Sequence, residues 1–315
     1  VQGERLLRDG KAAEADQKFK KCVEFHARTA KTRSVSANNA ATETMYRYTA
    51  TGDPAHLRAA AAYLEDAVRL EPDQALILGN LAGVLMEIGY VGMLDKWIDT
   101  RTLALDPSGV RMLARSVLDG PLAPEAIEAL RKDASFQRSI ELSRKLQVLA
   151  PQMRSAYRIP IAWFDATRDV KALEELDKRL EMLPGSSDAD ADMRAKWIAG
   201  EQDESTLRDA NADIAKARRT FDRAKSGSKA TQAAAWLVLA SALEAPLLLK
   251  RDAASMSEMV DAARKARAGW PEGITRGEVS SVLFSAAFYH AMEGSPALAK
   301  AWSDERRVYS LFNLA

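Results

Sequence analysis

Residues 52–72 read GDPAHLRAAAAYLEDAVRLEP, and this stretch decides the fold. Gly52 can close one helix, because it alone turns the backbone left-handed without steric cost. Asp53 offers a side-chain oxygen to the free N–H groups of a new helix, and Pro54 suits its first position, where no N–H donor is needed. Ala60, Leu64 and Ala67 then recur at helical spacing, and Pro72 stops the run. The spacing predicts a unit of helix, tight turn, helix and breaker.

The same order recurs on both sides. Upstream, Gly3 and Leu6 fit the late part of one helix, Gly10 the turn, and Ala15, Phe19 and Cys22 the packing positions of the next. Downstream, Leu78, Leu81, Ala82 and Leu85 form a packing stripe, Gly89 is expected to turn the chain, and Leu94 and Ile98 fit a second helix before Pro107. The pattern then decays. Residues 108–150 hold helical segments broken by Gly120-Pro121 and Pro124, and Pro151 ends a helix at 135–150. Another pair runs from Arg154 to Pro184, with Tyr157, Ile161 and Phe164 on one helix and Leu173 and Leu180 on the other; Pro160 is expected to kink the first.

Segment 185–192, GSSDADAD, is the most loop-like stretch, and divides an N-terminal region, 1–184, from a C-terminal one, 185–315. Helices are expected at 202–225, where Ile214, Ala217, Phe221 and Ala224 share a face, and at 229–249, 252–268, 276–293 and 296–312. Six tryptophans are spread through the chain and suit gaps between helices better than a ligand box.

Composition agrees with an all-α chain: strong helix formers dominate, Gly and Pro are scarce, and no run of alternating β-branched residues occurs. The 45 basic and 44 acidic residues nearly cancel, so nothing suggests a nucleic-acid footprint. The clusters at Lys18–Lys21 and Lys216–Arg219 read as solvated helix faces. The single cysteine, Cys22, excludes an internal disulfide. The stretch from Ala233 to Leu249 is the one membrane-like run, and Glu244 and Pro246 make it a buried helix rather than a span. The chain opens inside a helix, so a native segment is expected upstream of Val1. The compartment stays open, with the cytoplasm favoured and the cell envelope an alternative.

Motifs for catalysis are missing. His26, His56 and His290 have no companions at metal-ligand spacing, and no phosphate loop, dinucleotide fingerprint or nucleophile elbow occurs. Asp188, Asp190 and Asp192 begin like a calcium loop, but Met193 and Ala199 stand where Gly and a bidentate Glu are needed. No enzyme activity, metal or cofactor is expected.

With these residues in view, the chain resembles the tetratricopeptide repeat family, whose unit is ~34 residues of paired antiparallel helices. The resemblance is good over residues 1–107, partial at 154–184 and 240–312, and weak between. It implies a right-handed α-solenoid whose concave face binds a protein or peptide. Carried over unit by unit, that face comprises Asn39, Thr42, Tyr46 and Thr49; then Leu76, Gly79, Gly83, Met86 and Glu87; then Ser155, Arg158, Ala162 and Asp165; then Ser281, Ser285, Tyr289 and Met292.

Members that bind chaperone tails hold a terminal carboxylate with Lys and Asn; only Asn39 and Arg158 match, so no such ligand is expected. Gly79 and Gly83 either let a partner's backbone approach or serve helix packing, and Tyr46 is either an anchor or packs under a loop. The expected role is a scaffold or adaptor. A regulatory or sensory module of a larger protein and an exported cell-envelope protein are the alternatives.

Overall fold

The structure, a computed structural model, describes residues 2–118, 122–153, 155–181, 204–250 and 253–269. These residues form fourteen helices and no strand. They fall into two compact units, one holding the residues up to 181 together with 226–231, the other holding 204–225 and 232–269.

The first unit opens with α1 (Gln2–Arg8) and α2 (Ala12–Ala27), joined through Gly10 at φ 76°. Ala15 and Phe19 are buried, and the Phe19 ring lies so close to Gly3 that a Cβ there would sit 2.5 Å from it. Cys22 is exposed rather than packed. The buried stripe of α2 is narrow, and a residue three places on from Phe19 is turned about 60° out of it.

Helix α3 (Ser34–Thr51) ends at Gly52, at φ 68°, and α4 (Pro54–Leu70) starts as its sequence dictates: the Ala55 N–H donates to Asp53 Oδ1 at 3.0 Å, and Pro54 opens the helix. Gly52 has a second duty. A Cβ on it would sit 2.2 Å from Ala104 Cα, so another stretch of backbone crosses there. Ala60, Leu64 and Ala67 are buried with Ala37, Ala41, Leu81 and Leu85 in one core, where each fully buried large aliphatic contributes roughly 1.5–3 kcal/mol.

Helix α5 (Ala75–Leu94) departs from the expected unit. It runs unbroken for 20 residues through Gly89, which makes no turn. A Cβ at Gly89 would sit 2.7 Å from Phe136 Cβ, so the glycine serves a close crossing with another helix. Leu94 ends α5, Ile98 lies in the following loop, and the only helix before Pro107 is the single turn α6 (Thr100–Leu103).

Helices α7 (Pro107–Leu118) and α8 (Ala123–Lys132) follow, and then α9 (Ala134–Leu149) packs along α5 as its most extensive neighbour. Phe136 of α9 meets Tyr90 at 5.5 Å and Trp163 at 5.4 Å between ring centroids. Helices α10 (Ser155–Ala166) and α11 (Val170–Glu181) complete the unit. Pro160 lies inside α10 and cannot donate to the Ala156 carbonyl; Gln147 Nε2 of α9 donates to that oxygen instead, at 3.2 Å.

The second unit contains α12 (Glu204–Ala224), α13 (Lys229–Lys250) from residue 232 onward, and α14 (Ala253–Gly269). Ala217, Ala224, Ala234, Leu237, Ala263 and Ala266 are buried, and small residues of this kind let helices approach closely. Phe221 packs on Trp236 at 4.1 Å, Lys265 covers the Trp236 ring at 4.5 Å, and Arg218 binds both oxygens of Glu258. The expectations for Gly120-Pro121, the Leu180 side chain, segment 185–192 and the helices at 276–293 and 296–312 lie outside the described residues.

Among the described residues, one helix is long and apolar enough to cross a membrane. It is α5 rather than the run at 233–249, and 67% of its most apolar window is buried within the protein.

Candidate functional site

Glu87 is the only charged residue of α5. It is 2% exposed, in the middle of the most apolar helix. An ionised carboxylate in such a place needs a cationic partner. Arg111 of α7 supplies it, binding Glu87 Oε1 and also reaching Ser108 Oγ at 3.4 Å. The other carboxylate oxygen, Oε2, is buried without a hydrogen-bond partner, the one such side-chain atom among the described residues.

A groove of about 290 Å³ opens beside this pair. Ala41, Thr42 and Met45 of α3 and Leu64 of α4 line it, with Gly79, Asn80, Gly83, Val84 and Glu87 of α5, and Pro107, Arg111 and Arg158 completing the wall. Asn80 Nδ2 donates to Asn38 Oδ1 at 2.8 Å, and Thr42 Oγ1 donates to the Asn38 carbonyl at 3.0 Å, which fixes the polar edge. Arg158 is exposed and makes no hydrogen bond or ion pair among the described residues. Its guanidinium Nη2 lies 3.9 Å from the position a Cβ on Gly83 would take.

The electrostatics follow from burial. Desolvation raises the Glu87 pKa to about 7, against the pull of the Arg111 charge and hydrogen bond and of Arg158, with Asp106 pushing the same way as burial. Desolvation, and then repulsion from Arg111, lower the Arg158 pKa, while Glu87 opposes them. Tyr48 and Tyr90 are raised by burial first and by the Glu87 charge second. The groove therefore carries two fixed cations and one carboxyl that exists in both protonation states near neutral pH.

The glycines in α5 differ. Packing requires Gly89, whose Cβ would clash. At Gly79 the nearest atom to an added Cβ is Leu146 Cδ1 at 3.8 Å, and at Gly83 it is the Arg158 guanidinium at 3.9 Å, both ordinary contacts. Each mid-helix glycine costs about 1 kcal/mol relative to Ala, and no packing need at Gly79 or Gly83 offsets it.

Of the residues expected on a concave face, the groove unites Thr42, Gly79, Gly83, Glu87 and Arg158. The others lie elsewhere. Tyr46 stacks on Phe19 at 4.9 Å and joins α2 to α3; Thr49 Oγ1 bonds the Met45 carbonyl at 3.2 Å; Asn39 is half-buried outside the groove. Met86 is 1% exposed, so it is a core residue with no face to offer a partner. Tyr289 lies outside the described residues.

Arg111 and Asn80 line the groove as well, and the repeat resemblance does not single them out. A signal for Arg111 existed: a lone Glu inside an apolar helix demands a cation from another element.

No protein-family model matches the chain, and no curated protein matches it.

Proposed function

We propose that this chain is an interaction scaffold of tetratricopeptide-like helical repeats, which holds an extended segment of a protein partner in the groove between α3, α5, α7 and α10. The observation that carries the reading is the pair Gly79 and Gly83. They lie on the groove side of a helix where packing would accept alanine, and their removal of two methyl groups leaves room for a partner's main chain. Helices α1 to α5, each packed on the next in chain order, support a serial, solenoid-like stack over residues 2–94. The role is binding rather than catalysis.

A photo-crosslinking residue placed at exposed Thr42 tests this in lysate from the source cell, against the same residue at exposed Val148, which does not line the groove. A discrete product from Thr42 alone, lost when Gly83→Leu fills the groove in a protein that still melts cooperatively, is the expected result. Identical products from both positions, or a partner retained by the filled variant, would refute it.

A further inference from the structure

Large apolar side chains that face water gather at one end of the first unit. Helices α2, α4 and α9 finish there, and α3, α5 and α10 begin there; α9 runs antiparallel to α5, with Leu146 over Gly79 and Phe136 over Gly89. Contacts stitch the end together: Ser34 Oγ donates to Glu71, Lys145 Nζ donates to the Pro72 carbonyl at 2.7 Å, and Gln147 Nε2 reaches the Ala156 carbonyl. Of the six exposed large apolar residues among those described, five project from this end. Phe25 and Val35 flank the α2–α3 loop, Leu76 opens α5, and Val148 and Leu149 close α9. Phe25 is 66% exposed and Val148 81%, so neither is covered by its own unit.

Positive charge gathers at the same end. Residues 24–35, 66–76 and 144–153 hold six Lys and Arg against four acids, Glu24, Asp66, Glu71 and Asp73. Asp66 pairs with Arg69 and Asp73 with Lys145, and Glu71 receives the Ser34 hydroxyl. Arg28, Lys31, Arg33 and Arg144 are exposed and bind no partner among the described residues. No acid occurs from residue 25 to 42, and Glu43, beside His26, lies further along α3. The loop that presents three of these cations is ordered by its own bonds. The Arg33 N–H donates to the Thr29 carbonyl at 3.0 Å, Thr29 Oγ1 donates to Ser36 Oγ at 2.9 Å, and Ala30 is buried in the core.

We propose that this end of the first unit docks on an anionic bilayer surface, with Phe25, Val35 and Val148 in the interface and Arg28, Lys31, Arg33 and Arg144 on the lipid phosphates.

A nucleic acid would use the cations and gain nothing from the apolar tips. A folded protein partner would want a contiguous apolar patch with few lysines at its centre. A bilayer sets hydrocarbon beneath a layer of anions and closes around each separate tip, so it takes both features at once. The ordered loop keeps the entropy cost of docking low. None of these residues lines the groove, so this inference goes beyond the scaffold reading and either can fail alone.

The test is flotation of the full chain with vesicles of phosphatidylcholine alone, and of phosphatidylcholine and phosphatidylglycerol in equal parts. Wild type should float with the anionic vesicles and not with the neutral ones, and rising salt should release it. Each cation near such a surface is worth about fivefold, so Arg28→Gln/Lys31→Gln/Arg33→Gln should bind about a hundredfold more weakly. Phe25→Ser/Val148→Ser should weaken binding about tenfold. All five side chains are exposed, so both variants should melt near wild type. An environment-sensitive dye on Val148→Cys, in a Cys22→Ser background, should shift to the blue on anionic vesicles.

No flotation with anionic vesicles, in protein that melts cooperatively, would overturn the proposal. So would equal flotation with neutral vesicles, or undiminished binding by the triple variant. Full binding by Phe25→Ser/Val148→Ser, with a dye that does not shift, would overturn the bilayer and assign the cations to a polyanion. A dimer in lipid-free buffer that Phe25→Ser/Val148→Ser splits would also overturn it, and would assign this end to a second copy of the chain.

Discussion

Residues 2–94 and residues 95–181 solve the same packing problem in different ways. In the first stretch each helix buries its apolar stripe against the next in the chain, from α1 through α5. In the second, α5 is followed by the single turn α6, and its most extensive neighbour is α9, some forty residues further along the chain. The groove lies where the two regimes meet, walled by α3, α4 and α5 from the serial stretch and by Pro107, Arg111 and Arg158 from the other. A serial stack offers a repetitive surface. Interrupting it brings residues distant in sequence together, and that is how Glu87 acquires Arg111 and Arg158 as neighbours.

The most damaging way to break the arrangement is Gly52→Ala, because Gly52 combines a left-handed backbone with the crossing of Ala104. We expect a loss of about 4 kcal/mol in chemical denaturation, from backbone strain and overpacking together; a loss below about 1 kcal/mol would show that the crossing yields easily.

Next in size is the pH profile. The fold raises the Glu87 pKa from its ordinary value near 4.5 to about 7. The folded state therefore binds more protons than the unfolded state between those values. This group's contribution is greatest below pH 4.5 and is lost as pH rises through 7, a fall of roughly 3 kcal/mol. Glu87→Gln should flatten the stability curve over that window relative to wild type, and parallel curves for the two proteins would exclude Glu87 as the titrating group.

Gly89→Ala should cost about 2 kcal/mol by pushing α9 away from α5. Smallest, and opposite in sign, Gly83→Ala should stabilise by about 1 kcal/mol, since an exposed-side methyl meets only ordinary contacts and helix propensity rises. Measuring the last two side by side sharpens the distinction between a packing glycine and a groove glycine on one helix.

What the sequence disclosed divides along the same line. Gly52, Asp53 and Pro54 were readable because a cap and a turn are local chemistry, complete within a few residues. The stripe Ala60, Leu64 and Ala67 was readable because helical periodicity is local too. Gly89 was misread as a turn, since a glycine demanded by a helix arriving from residue 134 onward looks the same in sequence as one demanded by backbone dihedrals. For the site, Glu87, Gly79, Gly83, Thr42 and Arg158 are positions that the resemblance to a repeat implies, and one groove brings them together. Met86, implied with them, is buried, because α5 packs against α4, α7 and α9. Arg111 sits in the tract where periodicity gives no register, and only the cost of burying Glu87 alone points to it.

The pairing of α5 with α9 also sets a timetable for synthesis. Helix α5 ends at Leu94 and its cover begins at Ala134, so the most apolar segment leaves the ribosome well before the residues that shield it. At translation rates of about 5–20 residues per second the delay is on the order of 2–10 s. Hydrophobic collapse of a chain takes far less than a millisecond, so the nascent N-terminal helices have ample time to fold upon themselves while α5 stays half-clothed. During those seconds the face of α5 that α9 covers in the folded protein lies open, and the arrival of α9 closes it.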